Sequence, residues 1–481
     1  MPRRVPDPPP DSPDTVDALR REIDRLREDL RRSEAERQRL RRENDKLKDE
    51  LEAARRAVYR QAAPFSRGTT IAPPRMPGRK AGAAYGPRAH RRVPARVDAT
   101  YEAPLPRQCP HCTGPVRETR VATQYQEELP VQRPVVRQFR VHVGTCTRCR
   151  RRVQGRHPLQ TSDALGAAAV QLGPQAVALA VLLNKECGLP YGKIARLWRE
   201  RFGLTITPSG VVHAVQRAAR QAQPTYAALC ATVRGSPVVT ADETSWRVAA
   251  DLQWLWAFVT PETTVYAIQP GRGLAQAAHV IGVDYAGVLV RDGWQSYRQF
   301  HEAAHQTCLA HLLRRCRTLL LDYPQHPFVA AVKRVLQTAL ATRERYRAGR
   351  LSGHGLAVAR GQLIARLGRL LARTPSRRLP VQRFQAHLIV EFDAVFSFLF
   401  DPTLDATNWR AEQALRPAVV TRKMGGGGNR TARGAQTQQV LASVLRTAHQ
   451  RGLDRTRLLV GLLRSRTPTA TDALRTRPAI H

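Results

Sequence analysis

The sequence predicts a multidomain α+β protein, on three observations. A long charged helix with a near-heptad seam opens the chain, two C-x-x-C pairs follow it, and four strand-like runs lie over 236–300 ahead of long helical segments. The expected order is an N-terminal coiled coil, a four-cysteine β-ribbon, a helical helix-turn-helix-like segment and an α/β core with a helical insertion.

The charge balance bounds the partners. Of 481 residues, 78 are Lys or Arg and 39 are Asp or Glu, a formal charge of +39. A chain this basic repels itself unless a polyanion neutralises it, so DNA is the expected partner. High-GC codon usage favouring Arg accounts for part of the excess. The opening "MPRRVPDPPPDSPD" has no apolar run behind its basic residues, so no secretory signal is expected and the protein is read as cytoplasmic. "ALGAAAVQLGPQAVALAVLL" (164–183) lacks charge but is Ala-rich and broken by Gly173-Pro174. It reads as two short buried helices, with Pro174 in the first turn of the second, and not as a membrane span.

Residues 15–58 place Leu19, Ile23, Leu26, Leu30, Leu40, Leu47, Leu51 and Val58 at alternating four- and three-residue steps. Ser33, Arg37 and Asn44 fill the remaining seam positions. A dimerising coiled coil fits this, with a buried Asn setting register; a solvated helix packed on its own chain is the alternative. Residues 59–108 form a Pro/Gly/Arg-rich linker without periodicity, suited to lying along phosphates.

Residues 109–155 carry Cys109 and Cys112 in "CPHC", then Cys146 and Cys149 in "CTRC". Two such knuckles supply four thiolates, the ligand set of a closed structural zinc (Zn2+) site, and two or three strands are expected between them, over 119–146. Arg150, Arg151 and Arg152 follow the second knuckle and are read as DNA-facing. Residues 160–232 read as a helical domain. "PYGKIARLWRERFG" and "SGVVHAVQRAARQA" are two helices, the second capped by Thr207 or Ser209. They make a helix-turn-helix or a plain αα-hairpin.

Over 236–445, "PVVTADETSWRV", "LQWLWAFVT", "TTVYAIQP" and "GVLVRDGWQSY" are strands, with the helix "LAQAAHVIG" before the fourth. Three antiparallel strands, a helix and a further strand open an RNase H-like domain, with a helical insertion at about 312–398 and a helical tail at 446–481. Asp242 is expected to end the first strand, Asp292 ends the fourth, and Glu412 lies on the helix of "NWRAEQALR". Adjacent strands are about 4.8 Å apart, so two strand ends and one crossing helix can gather three carboxylates. Clustered carboxylates repel, and two Mg2+ ions, or Mn2+, resolve that repulsion while flanking a scissile phosphate. Asp284 and Glu243 are rival ligands. Asp284 precedes its strand, and Glu243 points away from Asp242 if the strand continues. A chain with 39 acids offers many such triples by chance.

"ADETSWRV", "GRGLAQAAHVIG", "VRDGWQSY", "CLAH", "NWRAEQALRPAVVTRKMGGGGNRTARG" and "VLASVLRTAHQRG" follow one another in an order that resembles the insertion-sequence transposases of the IS66 family. The resemblance runs from about residue 15 to 465. It implies a bacterial DDE transposase with an RNase H-like core, its acids at Asp242, Asp292 and Glu412. It also implies a Cys-x-x-His pair at Cys308 and His311, with His311 orienting a carboxylate or contacting DNA. As a bare motif, Cys308/His311 also fits a packed helix turn. The stretch "TRKMGGGGNR" places Arg422, Lys423 and Arg430 on phosphates. The implied partners are terminal inverted repeats, target DNA, further copies through the coil, and accessory transposition proteins; no membrane is implied. A non-catalytic DNA-binding regulator or degenerate copy, and a structure-specific RNase H-like nuclease, are the alternatives.

Overall fold

The computed structural model describes residues 93–129, 133–165, 171–424, 427–465 and 467–474, together with 31–40 and isolated neighbours between 21 and 43. The chain divides into two compact units, Met1–Tyr125 and Gln126–His481.

In the first unit, residues 31–40 are helical and exposed, and Glu28 lies 3.6 Å from both Arg31 and Arg32 one turn on. Leu40 is exposed in the single chain. The rest of the coiled coil expected over 15–58, and the linker up to residue 92, lie outside the described residues. Residues 93–125 are irregular apart from one bridge, Gln108 to Pro115, that closes the first C-x-x-C turn.

The second unit opens with β1 (Val143–Thr145) and β2 (Arg152–Gln154), an antiparallel pair around the second C-x-x-C turn. Of the two or three strands predicted over 119–146, the described residues hold β1, and 116–129 and 133–142 are irregular. Pro134 has no amide to give a ladder, and Val135 and Val136 are 74% and 84% exposed. β-branched residues hold a strand only where one face can be buried.

Helices α1 (Pro174–Lys185), α2 (Tyr191–Phe202) and α3 (Pro208–Arg234) follow. Pro174 starts α1, where its missing N–H is not needed. Gly203 ends α2 in the left-handed region, and the Thr207 hydroxyl caps α3 by accepting from the Gly210 amide at 3.1 Å. The buried sides of these helices, including Ile194, Trp198, Val211 and Leu229, belong to the same apolar cluster as Val239, Trp256 and Phe258 of the sheet. Among the described residues no helix is long and apolar enough to cross a membrane.

The sheet contains β3 (Val238–Val248), β4 (Asp251–Val259) and β5 (Thr264–Gln269) as an antiparallel meander. After helix α4 (Leu274–Ile281), β6 (Val288–Arg291) and β7 (Ala304–Thr307) lie parallel to β3, in the spatial order β5-β4-β3-β6-β7. β7 falls in a stretch read as helical. Asp242, expected to end its strand, lies inside β3, which continues to Val248. β6 pairs with β3 only over Val238–Thr240, so β3 runs on without a neighbour on that side until Arg247.

Helices α5 (Leu309–Asp322), α6 (Pro327–Arg347), α7 (Gly353–Leu371), α8 (Leu379–Val390) and the short α9 (Ser397–Phe400) build a second apolar core of their own, around Leu336, Leu367, Phe384 and Phe398. Glu391, just past α8, ties this bundle to the sheet. Its fully buried carboxylate meets Arg291 at the end of β6 and Arg298 at 3.0 Å. Burial pushes this carboxyl up, but the two guanidiniums outweigh burial and hold it below the usual carboxylate range.

Helix α10 (Trp409–Met424) crosses the sheet over Trp246, Leu255, Ala257 and Tyr266, with Ala411, Ala414 and Leu415 buried beneath it. The two-residue strand β8 (Gly428–Asn429) then pairs with Arg247 and Val248 of β3. Gly428 has φ +147°, and a Cβ there would meet the Arg247 carbonyl oxygen, so only glycine permits the approach. Helices α11 (Ala432–Gln450) and α12 (Arg455–Arg464) complete the unit.

α11 lies along the edge strand β5 and satisfies its outward amides with side chains. Ile268 N–H donates to Gln439 Oε1 at 3.0 Å, Tyr266 N–H to Ser443 Oγ at 2.8 Å, and Thr264 N–H to Thr447 Oγ1 at 3.1 Å. Four residues of helix rise about 6 Å and two residues of strand about 6.8 Å, so the two repeats stay in register over this length. An edge so covered cannot pair with another chain.

Two substitutions test these contacts. Thr447→Val keeps the shape but strips Thr264 N–H of its buried acceptor, and denaturant unfolding should show a loss of about 1–3 kcal/mol. Glu391→Gln leaves Arg291 buried without a countercharge and should destabilise by about 3–5 kcal/mol in the same measurement.

Candidate active site

Side chains alternate along β3. Val239, Ala241 and Glu243 face the helices α3 and α4, whereas Asp242, Trp246 and Val248 face α10. Asp242 therefore projects beneath α10, at the point where β6 has ended and β3 continues. Burial pushes its carboxyl up to about 8, and the charges of Glu243, Asp292 and Glu412 add to the rise.

Asp292 immediately follows β6. Its Oδ1 accepts from the Trp294 amide at 2.9 Å, an Asx-type turn that fixes the carboxylate as the chain leaves the sheet. Gly293 stands between them, where a Cβ would collide with the His387 ring of α8.

Glu412 lies in the first turn of α10, half-exposed. His311 Nε2 is 3.6 Å and Arg314 3.9 Å from its Oε1. The starts of α5 and α10 meet here, joined by the Leu309 amide donating to the Ala406 carbonyl at 3.0 Å. Cys308 is buried at the N-cap of α5, and burial pushes its thiol up. Of the Cys-x-x-His pair, then, Cys308 packs and His311 faces the carboxylate. The Asn408 side chain, four residues before Glu412, is fully buried with neither its oxygen nor its nitrogen hydrogen-bonded.

The rival acids sit elsewhere. Asp284 is exposed in the turn before β6. Glu243 is turned to the other side of β3, its side chain fully buried, accepting from Arg272 Nε at 2.5 Å and from the Tyr297 hydroxyl. Arg272 is stacked between the rings of Trp294, at 3.8 Å, and Trp254, at 4.8 Å, and its second nitrogen lies 3.9 Å from Asp292. The Arg272 carbonyl accepts from Trp294 Nε1 and Ser296 Oγ at 2.9 and 2.8 Å. This clamp positions the Asp292 turn. Sequence reasoning passed over it, although an Arg between two glycines in "PGRGLAQ" and the aromatics of "DGWQSY" carry the signal.

The fit of a metal can be judged from the acids. Asp242, Asp292 and Glu412 come from three separate elements, and the charges of Asp292 and Glu412 both act on Asp242; Arg272 lies near Asp292, and His311 and Arg314 near Glu412. That excess of negative charge suits a hard divalent cation with oxygen ligands. Among the described residues, however, no three His, Cys, Asp or Glu side chains converge closely enough to form a finished metal site.

The two C-x-x-C turns each have the local form of a thiolate knuckle. In the first, the Cys109 amide donates to the Gly114 carbonyl at 2.9 Å, with Thr113 at φ 59°. In the second, the Cys146 amide donates to the Arg151 carbonyl at 2.9 Å, with Arg150 at φ 59°. Backbone amides of His111 and Cys112 lower the Cys109 thiol, and that of Cys149, with its thiol, and of Arg148 lower Cys146. Each turn, taken by itself, fits two thiolate ligands of zinc.

Among the cations expected on DNA, Arg150, Arg151, Arg152, Lys423 and Arg430 are exposed. Arg422 is not free for a phosphate. Its guanidinium donates to the Ser245 carbonyl and to the hydroxyls of Ser245 and Thr244, fastening α10 to β3.

No curated protein matches the chain. A family model described as "Transposase IS66 family" matches residues 169–437, more than half of the chain. The match holds Asp242, Asp292 and Glu412 and the helical bundle between β7 and α10. The chain belongs to the IS66 family of transposases.

Proposed function

We propose that this transposase cuts and joins DNA at the crevice between β3, the end of β6 and α10, as a DDE enzyme with an RNase H-like core. The observation that carries the reading is Asp242: a half-buried carboxylate inside a strand, with three further carboxylates raising its pKa. The strand order β5-β4-β3-β6-β7, a meander followed by two strands parallel to its first member, is that of an RNase H-like sheet. In such sheets the working groups stand at the carboxyl ends of the parallel strands, as Asp292 does.

Asp242, Asp292 and Glu412 would hold two magnesium or manganese ions, which when bound supply the positive charge that a phosphodiester displacement requires. The residues of the chain do the rest. The Arg272 clamp and the Trp294 amide keep Asp292 aimed at the crevice. His311 and Arg314 steady Glu412 at its mouth. Water first hydrolyses the bond at the element's 3′ end, and the freed 3′-hydroxyl then attacks target DNA in line, with no covalent link to the protein. Exposed Arg150, Arg151, Arg152, Lys423 and Arg430 grip phosphates, and the excess of 39 positive charges makes that grip salt-sensitive. Cys109 with Cys112, and Cys146 with Cys149, would each offer two thiolates to zinc, which when bound would order its turn, and the N-terminal helix pairs copies of the chain on the inverted repeats. The protein would work in the bacterial cytoplasm on nucleoid DNA.

Asp292→Asn tests the assignment. It should lower strand cleavage by at least about a hundred-fold, with binding to the element's ends retained in a gel-shift assay; cleavage at the wild-type rate rules the site out. Acid–base linkage gives a second test. Asp242 binds its proton more tightly in the folded chain, at about 8, than unfolded, at about 3.9. Its contribution is therefore present at low pH and lost as pH rises through about 8. Thermal unfolding of the metal-free protein should show falling stability across that window. Added magnesium should restore it most at the alkaline end, and Asp242→Asn should flatten both trends.

A further inference from the structure

A cavity of about 240 Å³ opens beside α10 on the face of the sheet that carries Asp242. Its apolar wall includes Leu255, Tyr266, Pro417 and Ala442, part of the cluster beneath α10. Lys185 and Arg446 line it, together with His449 and the ion pair of Glu186 with Arg455, so its charge is positive on balance.

Lys185 is the unusual member. It is only 9% exposed, at the end of α1, and its ammonium has one neutral partner, Gln438 Oε1 at 2.9 Å. The carboxylate of the next residue, Glu186, is taken at 2.8 Å through both oxygens by Arg455. Among the described residues no carboxylate lies within ion-pair distance of Lys185 or Arg446. Burial lowers Lys185 to about 7. A buried ammonium held without a countercharge is costly unless an anion arrives to complete it.

Pro417 lies five residues after Glu412 on α10, about 7.5 Å along the helix axis. That is close to two steps of stacked DNA at about 3.4 Å each. The cavity is smaller than a drug-sized ligand site, which starts at about 300 Å³. It suits one phosphate with its deoxyribose against the apolar wall.

We propose that this cavity receives the sugar-phosphate of a single nucleotide lifted out of the DNA next to the bond being cut. The inference rests on the reading of the acids as the cleavage site. Lys185 and Arg446 take the phosphate oxygens, Gln438 holds the ammonium in place, and the wall of Leu255, Pro417 and Ala442 meets the sugar. A nucleotide held there is unstacked from its neighbours, which frees the adjoining phosphate to enter the crevice.

Isothermal titration of the full-length protein with a 5′-phosphorylated thymidine dinucleotide, without divalent metal, tests the site. The dinucleotide is too short to follow the basic surface, and no cleavage is needed, so the result is independent of what Asp292→Asn does to cutting. Saturable binding is expected, weakened about ten-fold or more by Lys185→Met, which removes a charged hydrogen bond. Ala442→Leu, which fills the cavity and leaves every cation in place, should weaken it comparably and carries the test alone if Lys185→Met fails to fold. No saturable binding, wild-type affinity in the variants, or equal affinity for inorganic phosphate would each overturn the proposal.

Discussion

β3 outlasts its parallel neighbour. The two pair over Val238–Thr240, β6 stops at Arg291, and β3 continues to Val248 with its next partner, β8, only at Arg247. This mismatch in length opens a slot in an otherwise continuous sheet. Asp242 occupies the bare side of the slot, Asp292 turns off at its closed end, and α10 lies across it with Glu412 in its first turn. A longer β6 would fill the slot with ladder hydrogen bonds and leave no room for three acids. The insertion follows from the same geometry, because the chain leaves the sheet at β7 and must return to the slot at α10.

The slot sets charge against burial. The chain is strongly basic, yet burial at Asp242, helped by the neighbouring carboxylates, favours the neutral acid. The surrounding structure distributes that strain unevenly. Glu243, one residue along and on the opposite face, is held by Arg272 and Tyr297, whereas Asp242 is steadied by the backbone of Glu243. The cations are placed around the rim: Arg272 behind Asp292, His311 and Arg314 beside Glu412, and the buried pair of Arg291 with Glu391 one layer back.

Much of this layout was legible in the sequence, for identifiable reasons. A hydrophobic run ending in "RDGW" marks a strand end and a turn, and Asp292 is where that pattern puts it. Alternation along β3 separated Asp242 from Glu243 correctly because a two-residue period needs no tertiary knowledge. The Thr-Pro-Ser pattern offered Thr207 or Ser209 as the cap, and Thr207 takes the role. Other features depend on partners that are distant in the chain. The Val-rich stretch 119–146 looks like strands, but Val121, Val135 and Val136 are exposed, so their propensity has no buried face to act on. Arg422 looks like a free cation until β3 is seen beneath it. The Arg272 clamp joins Trp254, Trp294 and Glu243, and no local pattern announces such a meeting. The strand β7 is four residues of "AHQT", too short and polar to show periodicity.

The pairing of α11 with β5 has an evolutionary corollary. Gln439, Ser443 and Thr447 form a comb whose teeth must all point one way. A single residue inserted or deleted between Gln439 and Thr447 would rotate the downstream half of the helix by about 100°. It would strip acceptors from the strand and turn apolar residues outward in one event. Length variation among relatives should therefore gather in the loops at either end of this helix, with point substitutions the only changes its middle tolerates.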